Sequence, residues 1–425
     1  MKMAHGSWEP ILQDPEGNWS AVLESIEAGL PNLDAGWNGY SLAQGASGFA
    51  IYYAYRKAAG LGESSRNEER MLYHMEAAGH CLDGADPGLF SGYPGVAWTI
   101  DHLQSLGVVD ASDDLNGQVD ARLQALLTDG FPLGQTELIG GLAGIGIYAL
   151  GRGGRGAGEA ILDLVVRSME RLALEERDGI TWQTQPEALP DWQRVLAPKG
   201  CRNIGLAHGI GGVIALLGRA AGRGHARALR LLEGAVDWLM AREIRIGNGC
   251  WFQPWEPVGR LRTDPPLHRV SWCYGTFGLS VALYGAGRWI GRKPWCERAL
   301  QWATQCATVP VDSELTWDSC LCHGALGNAH LFNRFHQATG DPLFASTAQA
   351  WIGRALALRR PTPVCGGFLT LLEEEGAGPD YDPWLPLPGL LEGASGCALA
   401  LMAALYPVVP SWDAFLLADL PSDGA

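Results

Sequence analysis

The hydrophobic pattern alternates between two kinds of helix-length stretch. One kind is apolar on nearly every face: FAIYYAYRKAAG from Phe49, VAWTIDHLQSLG from Val96, VIALLGRAAG from Val213, LSVALYGAGRW from Leu279 and CALALMAALY from Cys397. Such runs predict helices that line an interior. Between them lie stretches with one apolar stripe and many charges, Glu69–Cys81, Ala157–Glu175 and Ala226–Glu243, which predict helices with one face in water.

A Gly-x-x-Gly marks the start of the apolar runs. Seven such stations stand in register: Gly45–Gly48, Gly92–Gly95, Gly141–Gly144, Gly209–Gly212, Gly275–Gly278, Gly324–Gly327 and Gly393–Gly396. Without Cβ, glycine lets the backbone turn tightly and pack where several helices converge. Each repeat therefore reads as outer helix, turn, Gly-x-x-Gly, inner helix. The turn is expected to leave the first amides of the inner helix unpaired and aimed at one end of the assembly. Seven hairpins of this kind predict an all-α chain folded as an α/α toroid, a double-layered barrel of seven inner and seven outer helices. An open helical solenoid is the alternative that the same pattern allows.

Successive stations are 47, 49, 68, 66, 49 and 69 residues apart, each interval long enough for a helical pair. The repeat overrides the two or three domains that 425 residues alone would suggest, and residues 1–425 are expected to form one domain. The longer intervals hold Pro- and Trp-rich segments at 181–200 and 247–269. These read as loops or short strands at the barrel mouth, or equally as elaborations of its outer surface.

Composition narrows the class. Hydrophobic residues at 47% and charged residues at 18% supply a sizeable core and exclude a disordered chain. A formal charge of −15 argues against a general nucleic-acid binder, which needs a basic face. The N-terminal MKMAHGSWEP has no apolar run before Glu9, so no signal peptide is expected. The most apolar stretches, Leu138–Leu150 and Gly396–Pro410, are too short or too broken to span a bilayer. Ten cysteines without an export signal read as reduced thiols in a cytoplasmic protein.

The chemistry gathers at three stations. His208 precedes the fourth, Cys273 and Tyr274 the fifth, and Cys322 and His323 the sixth. All four Cys and His side chains are candidates for one metal site. A catalytic zinc takes three protein ligands and keeps a fourth position open, and Cys273, Cys322 and His323 form such a set. Both thiols stand near a helix start, where the dipole favours thiolate. Cys320 offers a second thiol but is out of register. Cys81, Cys201, Cys250, Cys296, Cys306, Cys365 and Cys397 read as small core residues. GRGGRG at Gly151–Gly156 follows a helical run and reads as a loop instead of a dinucleotide site. Ser47 and Ser395 in GASG lack the nucleophile-elbow spacing, and Glu373–Glu375 reads as a solvated turn.

GLAHG (Gly205–Gly209), WCYG (Trp272–Gly275) and CHG (Cys322–Gly324), in this order on the sevenfold repeat, resemble the lanthionine synthetase C-like cyclases. The resemblance runs from about Gly45 to WDAFLLA at Trp412–Ala418. It implies an α/α-barrel and one Zn²⁺ per chain, held by Cys273, Cys322 and His323. It also implies intramolecular addition of cysteine thiols to dehydroalanine or dehydrobutyrine in a ribosomal peptide. His208 would supply or relay the proton, Arg269 would stabilise the enolate, and Tyr274 would donate to the same oxygen. Glu137, in TELIGG, stands where most of the family has Asp, which weakens the expected pairing of that carboxylate with the histidine.

The implied partners are a dehydrated precursor peptide, a separate dehydratase and an export transporter in a membrane-associated complex. Trp251 and Trp255 are the rings expected to grip the peptide. Alternatives that keep the same site are addition of glutathione or another free thiol to dehydrated peptides, and a zinc-containing peptide scaffold without chemistry. A glycosidase is disfavoured, because nothing pairs two carboxylates at repeat positions.

Overall fold

The structure is a computed structural model describing residues 8–30, 39–79, 85–131, 135–247, 249–260, 264–266, 268–313, 315–372 and 382–421. Cys81 and the Glu373–Glu375 run lie outside the described residues. The first half of the chain carries helices α1 (Asn18–Gly29), α2 (Ala46–Ala58), α3 (Ser64–Gly79), α4 (Tyr93–Ser105), α5 (Gly117–Asp129), α6 (Leu142–Gly151) and α7 (Gly158–Leu172). It continues with the short α8 (Asp191–Leu196), then α9 (Ile210–Gly222), α10 (Ala226–Met240), α11 (Thr276–Ile290) and α12 (Lys293–Ala307). Last come α13 (Ala325–Thr339), α14 (Pro342–Ala357) and α15 (Ala394–Leu405). None of the described helices is long and apolar enough to cross a membrane.

Two compact units contain these elements. The first comprises Met1–Ala85, Ser91–Ser112 and Pro310–Trp412, and the second Asp86–Phe90, Asp113–Val309 and Asp413–Ala425. In the first unit α13, α15, α2 and α4 pack in series; α14 lies on α13, α1 on α15 and α3 on α2. In the second, α6, α9 and α11 pack in series, carrying α7, α10 and α12 respectively, with α5 beside α7. The serial helices are the apolar runs. All of α2 from Ala46 to Arg56 and all of α11 from Thr276 to Gly287 is buried. Their partners bury one stripe each, as α7 does with Ile161, Leu162, Val165, Val166 and Met169. Close approach in the second unit depends on small residues. A Cβ on Gly218 of α9 would lie 2.6 Å from Ala286 Cα of α11.

The first glycine of every station is the residue immediately before a buried helix, at Gly45, Gly92, Gly141, Gly209, Gly275, Gly324 and Gly393. The second glycine meets the loop that leads into its own helix. A Cβ there would collide with the carbonyl oxygen six residues back, at 2.6 Å for Gly48 against Leu42 and for Gly212 against Leu206. The same clash recurs for Gly144 with Leu138, Gly278 with Trp272, Gly327 with Leu321 and Gly396 with Leu390. The side chains on those carbonyl-bearing residues, six positions before the second glycine, are all buried.

One sequence expectation is corrected here. In α2, α6, α13 and α15 the first amides are not left unpaired, because the preceding loop folds back and caps them. Ala46 and Ser47 donate to Gly39 and Tyr40 carbonyls, Leu142 and Ala143 to Gln135 and Thr136, Ala325 and Leu326 to Asp318 and Ser319, and Ala394 and Ser395 to Leu387 and Pro388.

The 181–200 segment carries α8, and short two-stranded ribbons adjoin it and the 247–269 segment. Strands β1 (Leu174–Glu176) and β2 (Gly179–Thr181) pair, as do β3 (Cys201–Asn203) with β6 (Trp255–Pro257) and β4 (Ile244–Ile246) with β5 (Gly249–Trp251), all antiparallel. The remaining pair, β7 (Thr370–Leu371) with β8 (Trp384–Leu385), belongs to the first unit. Trp255 is buried with Leu189, Ala197 and Cys201 in a small core, and Trp251 is buried and stacked on His268 at 4.4 Å. Both rings are buried, against the expectation that they are presented to a peptide. The exposed ring of this region is Trp192 on α8, at 52%.

A paired substitution tests the glycine rule. Gly48→Ala should destabilise by about 1–3 kcal/mol through the clash with Leu42. Gly353→Ala, in the exposed middle of α14 with open space around it, should stabilise by about 0.5–1 kcal/mol. Urea unfolding of the two proteins should therefore shift in opposite directions.

Candidate functional site

The loops before the buried helices place chemistry at fixed positions relative to the first glycine. Backbone hydrogen bonds join neighbouring loops two or three positions before it. In the second unit Phe90 N–H donates to Ile139 O, Leu138 to Ala207 and Ala207 to Cys273. In the first, Cys322 N–H donates to Leu391 O, and Leu391 to Ala43. Cys273 and Cys322 both occupy this tied position. One position before the glycine stand His208, Tyr274 and His323.

In the second unit His208 Nδ1 lies 3.1 Å from Glu137 Oε2. Glu137 is anchored in turn by its own loop: Oε2 accepts the Ile139 amide at 2.9 Å and Oε1 the Gly140 amide at 2.6 Å. Glu137 thus reaches the imidazole despite its extra methylene. The His208 side chain is 46% exposed, so the ring is held on one side and open on the other. Its neighbour is the Tyr274 ring, stacked with centroids 6.0 Å apart. Burial raises the Tyr274 hydroxyl's pKa, against the opposing effect of its bond from Asn203 Nδ2 at 3.1 Å. The phenol is therefore kept protonated at neutral pH. Asn203 ends β3, and its Oδ1 accepts the Gly205 amide at 3.2 Å, so the ribbon holds the residue that holds Tyr274.

Cys273 is buried, with Ser271 Oγ 3.9 Å from its sulfur. Arg269 is half-buried, and its carbonyl would lie 2.6 Å from a Cβ on Gly275, which adopts φ +99°. That contact locks the Arg269 backbone to the turn bearing Cys273.

In the first unit, Cys322 and His323 enter α13 behind Asp318. The Asp318 carboxylate has Oδ2 3.3 Å from His323 Nε2, and Oδ1 accepts the Cys320 amide at 3.2 Å. Burial raises the Asp318 pKa, but bonding to His323 and to Cys320 outweighs it, and the group stays below the usual carboxylate range. Ligand atoms of Asp318, Cys320 and His323 lie within 4.8 Å of one another, which makes this corner a possible Cys/His metal cluster. Burial raises the Cys320 thiol's pKa.

The cysteines read as core residues are free thiols among the described residues, and Cys296 alone of them is only half-buried. Burial pushes Cys201 up to about 11 and Cys365 up to about 12, so both remain protonated. Sequence reasoning missed Asn203 and Asp318. Both stand six positions before a first glycine, as Arg269 does, so the register that flagged the cysteines could have found them.

The family profile described as lanthionine synthetase C-like protein matches residues 36–417. The nisin biosynthesis protein NisC of Lactococcus lactis subsp. lactis is 23% identical over 338 residues, covering 75% of this chain and 74% of the relative. Glutathione S-transferase LANCL1 of Danio rerio is 32% identical over 188 residues, 43% of this chain and 40% of the relative. Among solved structures, nisin cyclase aligns with a TM-score of 0.73 at 20% identity, covering 94% of this chain and 96% of that one. The shared fold is an all-α α/α toroid.

Glu137 serves its loop as well as His208, and stability separates the two roles. Glu137→Ala strips acceptors from the Ile139 and Gly140 amides and should cost about 1–3 kcal/mol. His208→Asn, at a half-exposed ring, should stay within about 0.5 kcal/mol. Equal small effects in urea unfolding would mean that the two amides find water instead.

Proposed function

The chain belongs to the lanthionine synthetase C-like family, and on that footing we propose that it is a zinc-dependent peptide cyclase. The reaction is intramolecular addition of a cysteine thiol to dehydroalanine or dehydrobutyrine, closing lanthionine or methyllanthionine rings in a dehydrated precursor peptide. The observation that carries this reading is the occurrence of Cys273 and Cys322 at one repeat position, with His323 directly after the second. The similarity to the nisin biosynthesis protein supports the same reaction class.

The residues suit the metal. Cys273 and Cys322 stand outside any disulfide and keep 7% and 8% exposure, and two thiolates with one imidazole would leave zinc an open fourth position. When bound, one Zn²⁺ per chain would supply the Lewis acidity that brings a substrate thiol to thiolate near neutral pH.

The remaining steps fall to the chain's own groups. As the sulfur bonds to the β-carbon, the alkene pair moves toward the adjoining carbonyl as an enolate, and a proton then returns to the α-carbon. His208 delivers that proton, oriented through Nδ1 by Glu137. Tyr274, kept protonated by burial, donates to the enolate oxygen, and Arg269 adds positive charge to the same end. The peptide arrives already dehydrated by a separate enzyme, in the cytoplasm, and leaves through a transporter at the membrane.

A second reading rests on one observation, the 32% identity to a relative named as a glutathione S-transferase. The same groups would then add glutathione to the dehydrated residue. Mass spectrometry of a dehydrated peptide incubated with the protein separates the cases. Cyclisation consumes a free thiol at constant mass, glutathione addition raises the mass, and a scaffold leaves both unchanged.

Cys273→Ala and Cys322→Ala should lose zinc by elemental analysis while far-ultraviolet circular dichroism is retained; full occupancy in both would sink the ligand assignment. His208→Asn should keep its zinc yet slow ring closure by roughly 10²–10⁴. Glu137→Gln should act in the same direction, more weakly. Loss of zinc from His208→Asn would make His208 a ligand instead of an acid.

A further inference from the structure

Asp318 is a buried carboxylate with no part in the reaction described above. Its side chain is fully shielded from solvent, and both oxygens are fixed by backbone amides: Oδ1 by Cys320 at 3.2 Å and Oδ2 by Leu371 of β7 at 3.4 Å. Its own carbonyl accepts the first amide of α13 from Ala325 at 2.9 Å. Oδ2 faces His323 Nε2 at 3.3 Å.

We propose that Asp318 is the positioning residue of His323, holding its Nε2–H so that Nδ1 is the nitrogen presented to zinc. The proposal rests on the zinc reading above. An ionised carboxylate only accepts hydrogen bonds, so the nitrogen facing it must carry the proton. The other ring nitrogen then holds the lone pair a metal needs, and the ring plane is set by the same bond.

The same geometry decides between two thiols. Asp318, Cys320 and His323 could in principle hold an ion themselves, since their ligand atoms fall within 4.8 Å. In an arrangement that used Nε2, that nitrogen would have to give up its proton. Committing Nε2 to Asp318 disfavours that arrangement and favours Cys322, at the tied loop position, as the thiol that joins His323 on the metal.

Two readouts test this without reference to turnover. In metal-free protein selectively labelled with ¹⁵N-histidine, long-range ¹H–¹⁵N spectra should show His323 as the Nε2–H tautomer, its signals identified by their absence from His323→Gln. Competition of Zn²⁺ against a chromogenic chelator should give Asp318→Asn a roughly 10–100-fold weaker zinc affinity than wild type, and Cys320→Ala an unchanged one. An Nδ1–H tautomer in the wild type overturns the proposal, as does zinc loss from Cys320→Ala. So does wild-type zinc affinity in Asp318→Asn. A wild type that binds no zinc removes the underlying reading and the proposal with it, an outcome distinct from a zinc-binding wild type matched by Asp318→Asn. The tautomer measurement uses the unaltered chain, so it decides the matter even where Asp318→Asn does not fold.

Discussion

Everything in this chain hangs on a carbonyl oxygen standing where a β-carbon would otherwise be. At six of the seven stations the loop oxygen six residues back presses on the second glycine, too close for any other side chain. That contact lets the loop fold over the end of the helix it introduces. Once folded over, its carbonyls cap the first amides, as Gly39 and Tyr40 do for α2 and Asp318 and Ser319 for α13. A buried helix end would otherwise carry unpaired donors at about 1–3 kcal/mol each. The glycine is therefore less a flexible joint than a vacancy, and the helix termini can be buried because it is kept empty.

The same fold-over gives each loop a fixed register, and the chemistry is written onto it. Six positions before the first glycine come Asn203, Arg269 and Asp318; two before it, Cys273 and Cys322; one before it, His208, Tyr274 and His323. Backbone bonds between neighbouring loops fall at the cysteine position, where Ala207 donates to Cys273 and Cys322 to Leu391. A side chain placed there inherits a backbone tied to a neighbouring loop, which suits a metal ligand whose geometry must not drift. Polar support arrives from the position six back, where Asn203 reaches Tyr274 and Asp318 reaches His323. Candidate site residues scattered over almost two hundred positions are thus variations on one turn.

The helical repeat was legible because its two signals are local: a glycine pair and a run that is apolar on all faces. Cys273, Cys322 and His323 stood out as candidates because their types are rare and their register is shared. What escaped was relational. The capping of α2 and α13 depends on carbonyls, which carry no sequence signature, so the helix ends looked open when they are closed. Trp251 and Trp255 looked like binding rings because tryptophan is common at interfaces. Their burial against His268 and within the Leu189–Cys201 core follows from strand pairings that periodicity over three residues cannot reveal. Asn203 and Asp318 went unremarked although they share a register position with Arg269, because what they hold shows only in their partners.

Glu137 shows how far the turn governs the chemistry. From the residue type alone, an extra methylene displaces the carboxylate and weakens a pairing with histidine. The loop changes that argument. Glu137 bends back so that its two oxygens close on the Ile139 and Gly140 amides, two and three residues ahead. This uses the added length within the turn and brings Oε2 to 3.1 Å from His208 Nδ1. The oxygen that meets the imidazole is the one that holds the turn, so the carboxylate–imidazole pair cannot move without loosening the loop. What sets the distance is the backbone that the carboxylate grips, and the count of methylenes follows from it.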